Sequence, residues 1–252
     1  MKQFLHPSDW QAALKHFGLA VSFLTRLPVP NLGSLQAPDF GRAALYYPVV
    51  GLLLGFLLCL PVWLFSGADS FLLAAIITVL WAALTGGLHL DGVADSADAW
   101  LGGLGDQEKT HRILKDPLVG AAGVIAVVSV LLFKCAALSV ILSQGQWSLI
   151  LVAPFLGRAL ILVLFLTTPY VRAGGLASEV KHYLPKTIAS YIVIACLFIA
   201  VAQSFTGLLV MGLGFWGLRR LMMQRLGGCT GDTAGAGVEI GEMLWLVGTV
   251  LI

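Results

Sequence analysis

The sequence predicts an all-α fold: a polytopic transmembrane helix bundle of about seven spans (six to eight), preceded by an amphipathic helix at the membrane interface. Three observations predict it. Apolar residues make up 58% of the 252-residue chain, charged residues only 11%, and the mean hydropathy is +0.92. A soluble domain typically carries about 25% charged residues. Apolar stretches recur at close to the ~20 residues needed to cross a hydrocarbon core. The cations fall in alternate connecting segments, as they do when one side of the membrane holds them.

Along the chain, residues 8–25 set Trp10, Leu14, Phe17 and Val21 against Asp9, Lys15 and Ser22 at helical spacing. That pattern suits a helix lying in the interface, ended by the Pro-rich stretch Arg26-Leu-Pro-Val-Pro30. Asp9, Lys15 and His16 interrupt the segment, so it is not read as a cleavable signal peptide. Spans are expected at 43–66, 70–90, 118–141 and 147–169. The apolar block 187–218 is too long for one crossing and is expected to turn near Gln203-Ser204. A last span, 234–252, is Gly-rich at its start.

With a cytoplasmic N-terminus, the inside segments 1–42, 91–117, 170–186 and 219–233 hold 13 of the 15 Lys and Arg residues, and the outside turns hold none. The other two, Lys134 and Arg158, fall within spans. No gap is long enough for a separate soluble unit. Residues 1–252 are therefore read as a single integral membrane catalytic domain, multi-pass in the cell inner membrane, with its chemistry on the cytoplasmic side. A net charge of +2 without a basic run excludes a nucleic-acid footprint. Cys59, Cys135, Cys196 and Cys229 form no CxxC pair and read as small packing residues.

Acids are scarce, so their placement carries information. Of 13, three lie in GGLHLDGVADSADA (residues 86–99) and three in GGCTGDTAGAGVEIGE (residues 227–242), both at predicted cytoplasmic ends of spans. Asp91, Asp95 and Asp98 are spaced i, i+4, i+7, which places them within about a 60° arc of a helix. Three carboxylates on one face repel unless a cation lies among them, and hard oxygen donors suit Mg²⁺ or Mn²⁺. The alternative is a solvated loop, which needs no such periodicity. Asp232, in its Gly-rich turn, is expected to join the metal set, with Thr230 beside it among the phosphate contacts. Glu239 and Glu242 read equally as site residues or as interfacial acids.

The cations Arg112 and Lys115 are expected to hold the phosphates of a leaving nucleotide, with Asp116 beside them among the cofactor-binding candidates, although a basic loop anchored on lipid headgroups fits the same pattern. Arg158 sits mid-span, where an Arg costs ~2.5 kcal/mol or more and must face a partner, either an aspartate of the site or a substrate phosphate. Lys134 lies nearer the outer end of its span and is expected to snorkel. His89 is a secondary candidate, for orienting a carboxylate or a phosphate.

The runs GGLHLDGVADSADA, KDPLVGAAG (residues 115–123) and GGCTGDTAGAGVEIGE resemble the signature blocks of the cobalamin synthase family, the adenosylcobinamide-GDP ribazoletransferases. FLTRLPVP (residues 23–30) and YYPVVGLLLG (residues 46–55) are similar to the same family, so the resemblance covers nearly the whole chain. The spacing is intact at Asp91, Asp95, Asp98, Lys115, Asp116 and Asp232. The resemblance implies a Mg²⁺-dependent transfer that joins adenosylcobinamide-GDP to α-ribazole or its 5′-phosphate. It gives adenosylcobalamin or its 5′-phosphate and releases GMP, late in cobalamin biosynthesis.

The acid cluster is also similar to the Asp-rich helices of CDP-alcohol phosphotransferases, a likeness of mechanism and not of fold. On that analogy Asp98 or Asp95 takes the hydroxyl proton, while Arg112, Lys115 and Arg158 are expected, on electrostatic grounds, to stabilise charge on the phosphates. Expected partners are the activated corrinoid, α-ribazole phosphate and membrane lipid, with no nucleic acid, and a second copy of the chain or a biosynthetic complex. Two rivals make different demands. A lipid phosphotransferase needs an Arg between its aspartates, and none occurs between Asp91 and Asp98. A cation transporter needs acids near the bilayer midplane.

Overall fold

The computed structural model describes residues 7–172 and 174–251. Lys2, which counts among the inside cations, and the side chain of Asp9, which enters the amphipathic pattern, lie outside the described residues. Twelve α-helices follow one another in this region. They are α1 (Pro7–Leu24), α2 (Ala37–Ala43), α3 (Tyr47–Leu64), α4 (Ser70–Thr85), α5 (Leu88–Gly102), α6 (Gln107–Ile113), α7 (Ala121–Ser143), α8 (Ser148–Thr167), α9 (Leu176–Tyr183), α10 (Lys186–Gln203), α11 (Phe205–Leu226) and α12 (Gly231–Val250). A 3₁₀ turn, Ala44–Tyr46, joins α2 to α3.

The all-helical expectation holds, and the break in the 187–218 block falls where expected: α10 ends at Gln203 and Ser204 caps α11 by accepting from Gly207 N–H at 3.0 Å. The span count is coarser. Four helical stretches are long and apolar enough to cross a membrane: Ala37–Leu64, α7, α8 and α10. The bent pair α4–α5 raises this to five. Arg219 and Arg220 dilute the apolar character of α11, as Glu239 and Glu242 do for α12, and both helices are rich in glycine.

The expected span 70–90 ends early. Gly86 (φ 63°) and Gly87 (φ 71°) both take left-handed backbone, and the chain leaves α4 at 90° to start α5. A Cβ on Gly86 would also meet the Arg26 side chain at 2.1 Å. Leu88 and Leu90 thus belong to the crosswise helix that carries the acids.

α8 is the hub, buried along most of its length between α3, α10 and α12. In a bilayer, helices associate by close packing more than by hydrophobic burial, and small residues permit it. Gly51 and Gly55 of α3 show this, because a Cβ there would sit 2.4 Å from the Pro154 carbonyl oxygen and 2.3 Å from that of Leu151.

α1 uses its face in two parts. Val21, with Leu24, packs into the bundle, while Trp10 and Leu14 stay exposed. Lys15 (2.7 Å) and His16 (3.0 Å) both bond Asp39 of α2, which fixes the helix against the bundle.

Lys134 does not snorkel. It is buried in α7, 2.5 Å from Glu239 and 2.6 Å from Glu242 of α12, with its ammonium over the Trp81 ring. Arg158 is fully buried and pairs with Glu242 on its other oxygen. The middle of the bundle therefore holds acids as well as cations. Glu242 lies about 16 Å along α12 at 1.5 Å per residue. Two cations face two anions there, so the group is neutral overall.

Candidate active site

The site is built where α5 lies across the N-terminal end of α12. Contact is close because Gly92 has no side chain: a Cβ there would come within 2.3 Å of the Asp232 carbonyl oxygen. Gly235 faces the His89 backbone across the same crossing. α5 is helical throughout, so Asp91, Asp95 and Asp98 share a face as their spacing requires. Asp95 feels its surroundings most. Burial, then the charges of Asp91, Asp232 and Asp98, push its pKa up to about 6.

Asp232 stands at the N-terminus of α12, where Thr230 caps the helix in a reciprocal pair with Thr233. Across from it, Arg172 donates to the Asp232 carboxylate at 3.0 Å. A short bridge places that arginine. Cys229 N–H donates to the Pro169 carbonyl (2.8 Å), and Val171 N–H donates to that of Cys229 (3.0 Å). Only glycine fits at 228, since a Cβ would lie 2.4 Å from the Pro169 oxygen.

Two cavities meet at Asp232. One is a polar cleft of about 570 Å³ lined by His111, Lys115, Arg172, Thr230 and Asp232. The other is a narrower pocket of about 170 Å³ with mostly apolar walls, and Asp91, His89 and Asp232 lie along it. Anionic phosphates suit the first, with its two cations and the amide end of α12.

A ready-made metal cage is absent: among the described residues no three His, Cys, Asp or Glu side chains converge to hold an ion. Asp98 shows one reason. Its carboxylate accepts from Gly120 N–H (2.6 Å) and Gly123 N–H (2.9 Å), capping α7 with both oxygens. The remaining carboxylates still suit Mg²⁺, which usually takes one or two protein carboxylates and completes its octahedron with substrate phosphates and water.

A sequence profile for cobalamin-5-phosphate synthase matches residues 16–250. The chain belongs to that family. It is 49% identical over 237 residues to the adenosylcobinamide-GDP ribazoletransferase of Pseudomonas putida F1, covering 93% of this chain and 98% of the relative. The protein of the same name from P. putida KT2440 is 48% identical over the same shares. That of Stutzerimonas stutzeri A1501 is 48% identical over 92% of this chain and 96% of its own. No solved structure matches.

Of the residues that the sequence marks for this synthase chemistry, Asp91, Asp232, Lys115, Thr230 and His89 line the two cavities, and Asp95 lies within reach of the charges of Asp91 and Asp232 without lining either. Arg112 is exposed and lines neither cavity, and Asp116 closes a local turn by accepting from Leu118 N–H at 3.0 Å. Arg158 does not reach the acids or the cleft. Its one link to the site is a 3.5 Å approach to His89 Nδ1. Sequence reasoning misses Arg172, His111 and the aromatic walls of the narrow pocket. In the sequence Arg172 is only one more positive-inside residue, and nothing near it in the chain ties it to Asp232.

Proposed function

We propose that this chain joins adenosylcobinamide-GDP to α-ribazole or its 5′-phosphate in a membrane-bound step of cobalamin biosynthesis. The observation that carries the reading, in a member of this family, is the meeting of Asp91 and Asp95 of α5 with Asp232 of α12 beside a cleft bearing Lys115 and Arg172.

A ribose hydroxyl attacks the phosphorus that bears the cobinamide. The new O–P bond forms, the bridging P–O bond of the pyrophosphate breaks, and GMP leaves with the bridging oxygen. The hydroxyl proton passes to a carboxylate, and Asp95 is the better placed, because both Asp98 oxygens are engaged by α7. Mg²⁺ or Mn²⁺, held by Asp91 and Asp232 together with the substrate, would supply the positive charge that a pyrophosphate needs in order to be attacked. Lys115 and Arg172 hold the phosphates in line. Purified protein given both substrates and Mg²⁺ is expected to release GMP in step with a cobalamin product, and to stop when EDTA is added. GMP release that survives full chelation would remove the metal from the reading.

Arg172→Ala tests the cleft. An exposed ion pair contributes ~0–1 kcal/mol, so the melting temperature should barely move. The KM for adenosylcobinamide-GDP should rise about tenfold or more, because a charge-assisted phosphate contact is lost. Unchanged KM would place the pyrophosphate elsewhere.

We further propose seven crossings, α3, α4, α7, α8, α10, α11 and α12, with α5, α6 and α9 on the cytoplasmic side of the inner membrane. The cation distribution and the separation of seven long helices support this topology. Asp106 is exposed at the start of α6, and three of the four native cysteines are buried. A cysteine at position 106 should therefore react with an impermeant maleimide only after cells are opened. Labelling of intact cells would invert the topology.

A further inference from the structure

The narrow pocket differs in chemistry from the cleft beside it: half of its wall comes from α5 and α12, which carry the acids, and the other half is apolar and comes from helices that the acids do not require. α1 contributes Phe23, α3 Tyr47, α8 Ile161 and Phe165, and α9 Ala177 and Val180. Phe23 and Tyr47 stack, with ring centroids 6.1 Å apart and planes 15° apart, and form a flat aromatic wall. Phe165 is held edge-on to Tyr170 at 6.2 Å. The volume, about 170 Å³, is close to the ~150 Å³ that accommodates a benzene ring in a protein interior. A single flat ring is enclosed, a second fused ring reaches the pocket's open mouth, and a corrin macrocycle does not fit. Guanine carries polar atoms on nearly every edge; the polar groups here, His89, Asp91 and Asp232, all stand on the α5–α12 side and serve the reaction, so its other edges would lie unpaired against Phe23, Ile161 and Phe165.

We propose that this pocket is the binding site for the heteroaromatic base of the α-ribazole substrate, with the nucleotide's pyrophosphate in the polar cleft and Asp232 at the junction. The inference rests on the reaction proposed above and assigns its two substrates to separate cavities. A methyl-substituted benzimidazole is flat and apolar along most of its edge, so it matches aromatic and aliphatic walls by stacking and burial. Seated there, its ribose lies at the mouth of the pocket, between Asp91 and Asp232, where the attacking hydroxyl must meet the phosphorus. α1 and α9 gain a purpose in this arrangement: they close the base pocket and leave the acids to α5 and α12.

Ala177→Leu partly fills the pocket from α9, at a half-buried position without catalytic chemistry. Two measurements apply to it. Initial rates should show the KM for α-ribazole raised about tenfold or more, with the KM for adenosylcobinamide-GDP within about twofold of wild type. Equilibrium binding of α-ribazole alone to the detergent-purified protein should weaken by the same factor. Val180→Ala, which enlarges the pocket, should raise the relative kcat/KM of an α-riboside whose base is one ring larger by about threefold or more. This second variant removes volume and tests the pocket even if Ala177→Leu folds poorly.

A rise in the corrinoid KM alone, or an α-ribazole KM and affinity that stay within about twofold of wild type, overturns the assignment while leaving the reaction in place. Wild-type protein that binds α-ribazole through this pocket but releases no GMP would overturn the reaction and leave the pocket assigned.

Discussion

Asp95→Asn and Asp232→Asn should each slow GMP release by about 10²–10³-fold, the range seen when one element of electrostatic transition-state stabilisation is removed. Both substitutions keep the size of the side chain and abolish its charge. Asp232→Asn takes one anionic donor from a cation held jointly with the substrate, and Asp95→Asn removes the proposed proton acceptor. Folding should be nearly unaffected. Asp95 is crowded by like charges, so neutralising it relieves repulsion, and Asp232 loses only a partly exposed pairing with Arg172. Asp98→Asn makes the contrasting case. One Asn oxygen can still accept from α7, but its NH₂ cannot accept from the second amide, so losing that bond should cost about 0.5–1.5 kcal/mol of stability and lower the melting temperature. Any loss of rate there should follow the displacement of α7. Measuring kcat against Mg²⁺ concentration and melting temperature on the same three proteins separates the two roles. Wild-type turnover by metal-replete Asp95→Asn would sink the carboxylate-and-metal mechanism.

What can be read from the chain follows from how local each feature is. The face shared by Asp91, Asp95 and Asp98 is a matter of helical period, so residue spacing alone reveals it. The break at Gln203-Ser204 is legible because two polar residues interrupt an overlong apolar run. The 90° turn after Thr85 is not, because apolar residues continue through Leu88 and Leu90 and only the two left-handed glycines mark it. Arg158 announces a need for a partner, but nothing near it identifies Glu242, 84 positions away. The acids of α12 also read as inexpensive residues near a span end. The role of Asp98 as a cap is hidden for a similar reason, since the amides it serves lie 22 and 25 residues on. Arg172 reaches Asp232 only through the Pro169–Cys229–Val171 bridge, a long-range pairing with no periodic trace in the sequence. Helix-scale pattern is legible, and side-chain pairing between distant helices is not.

The distant pairing carries the second large effect. Glu242→Leu should destabilise the protein by about 3–5 kcal/mol, because it strands the Arg158 guanidinium in the bundle and leaves Lys134 with Glu239 alone. Arg158 Nε is already without a partner, so no spare acceptor waits to take the place of the carboxylate. The double replacement Arg158→Leu/Glu242→Leu removes one charge of each sign and keeps the Lys134–Glu239 pair. It should therefore melt well above the Glu242→Leu single variant, as buried pairs replaced together by apolar residues often do. Activity distinguishes the two readings of Arg158. If its guanidinium stabilises phosphates, the double variant folds and is inactive. The buried geometry predicts that the folded double variant keeps measurable GMP release, reduced only as far as His89, 3.5 Å from the guanidinium, shifts at the wall of the pocket. Equal melting temperatures for the single and double variants would show that the four charges do not act as a coupled set.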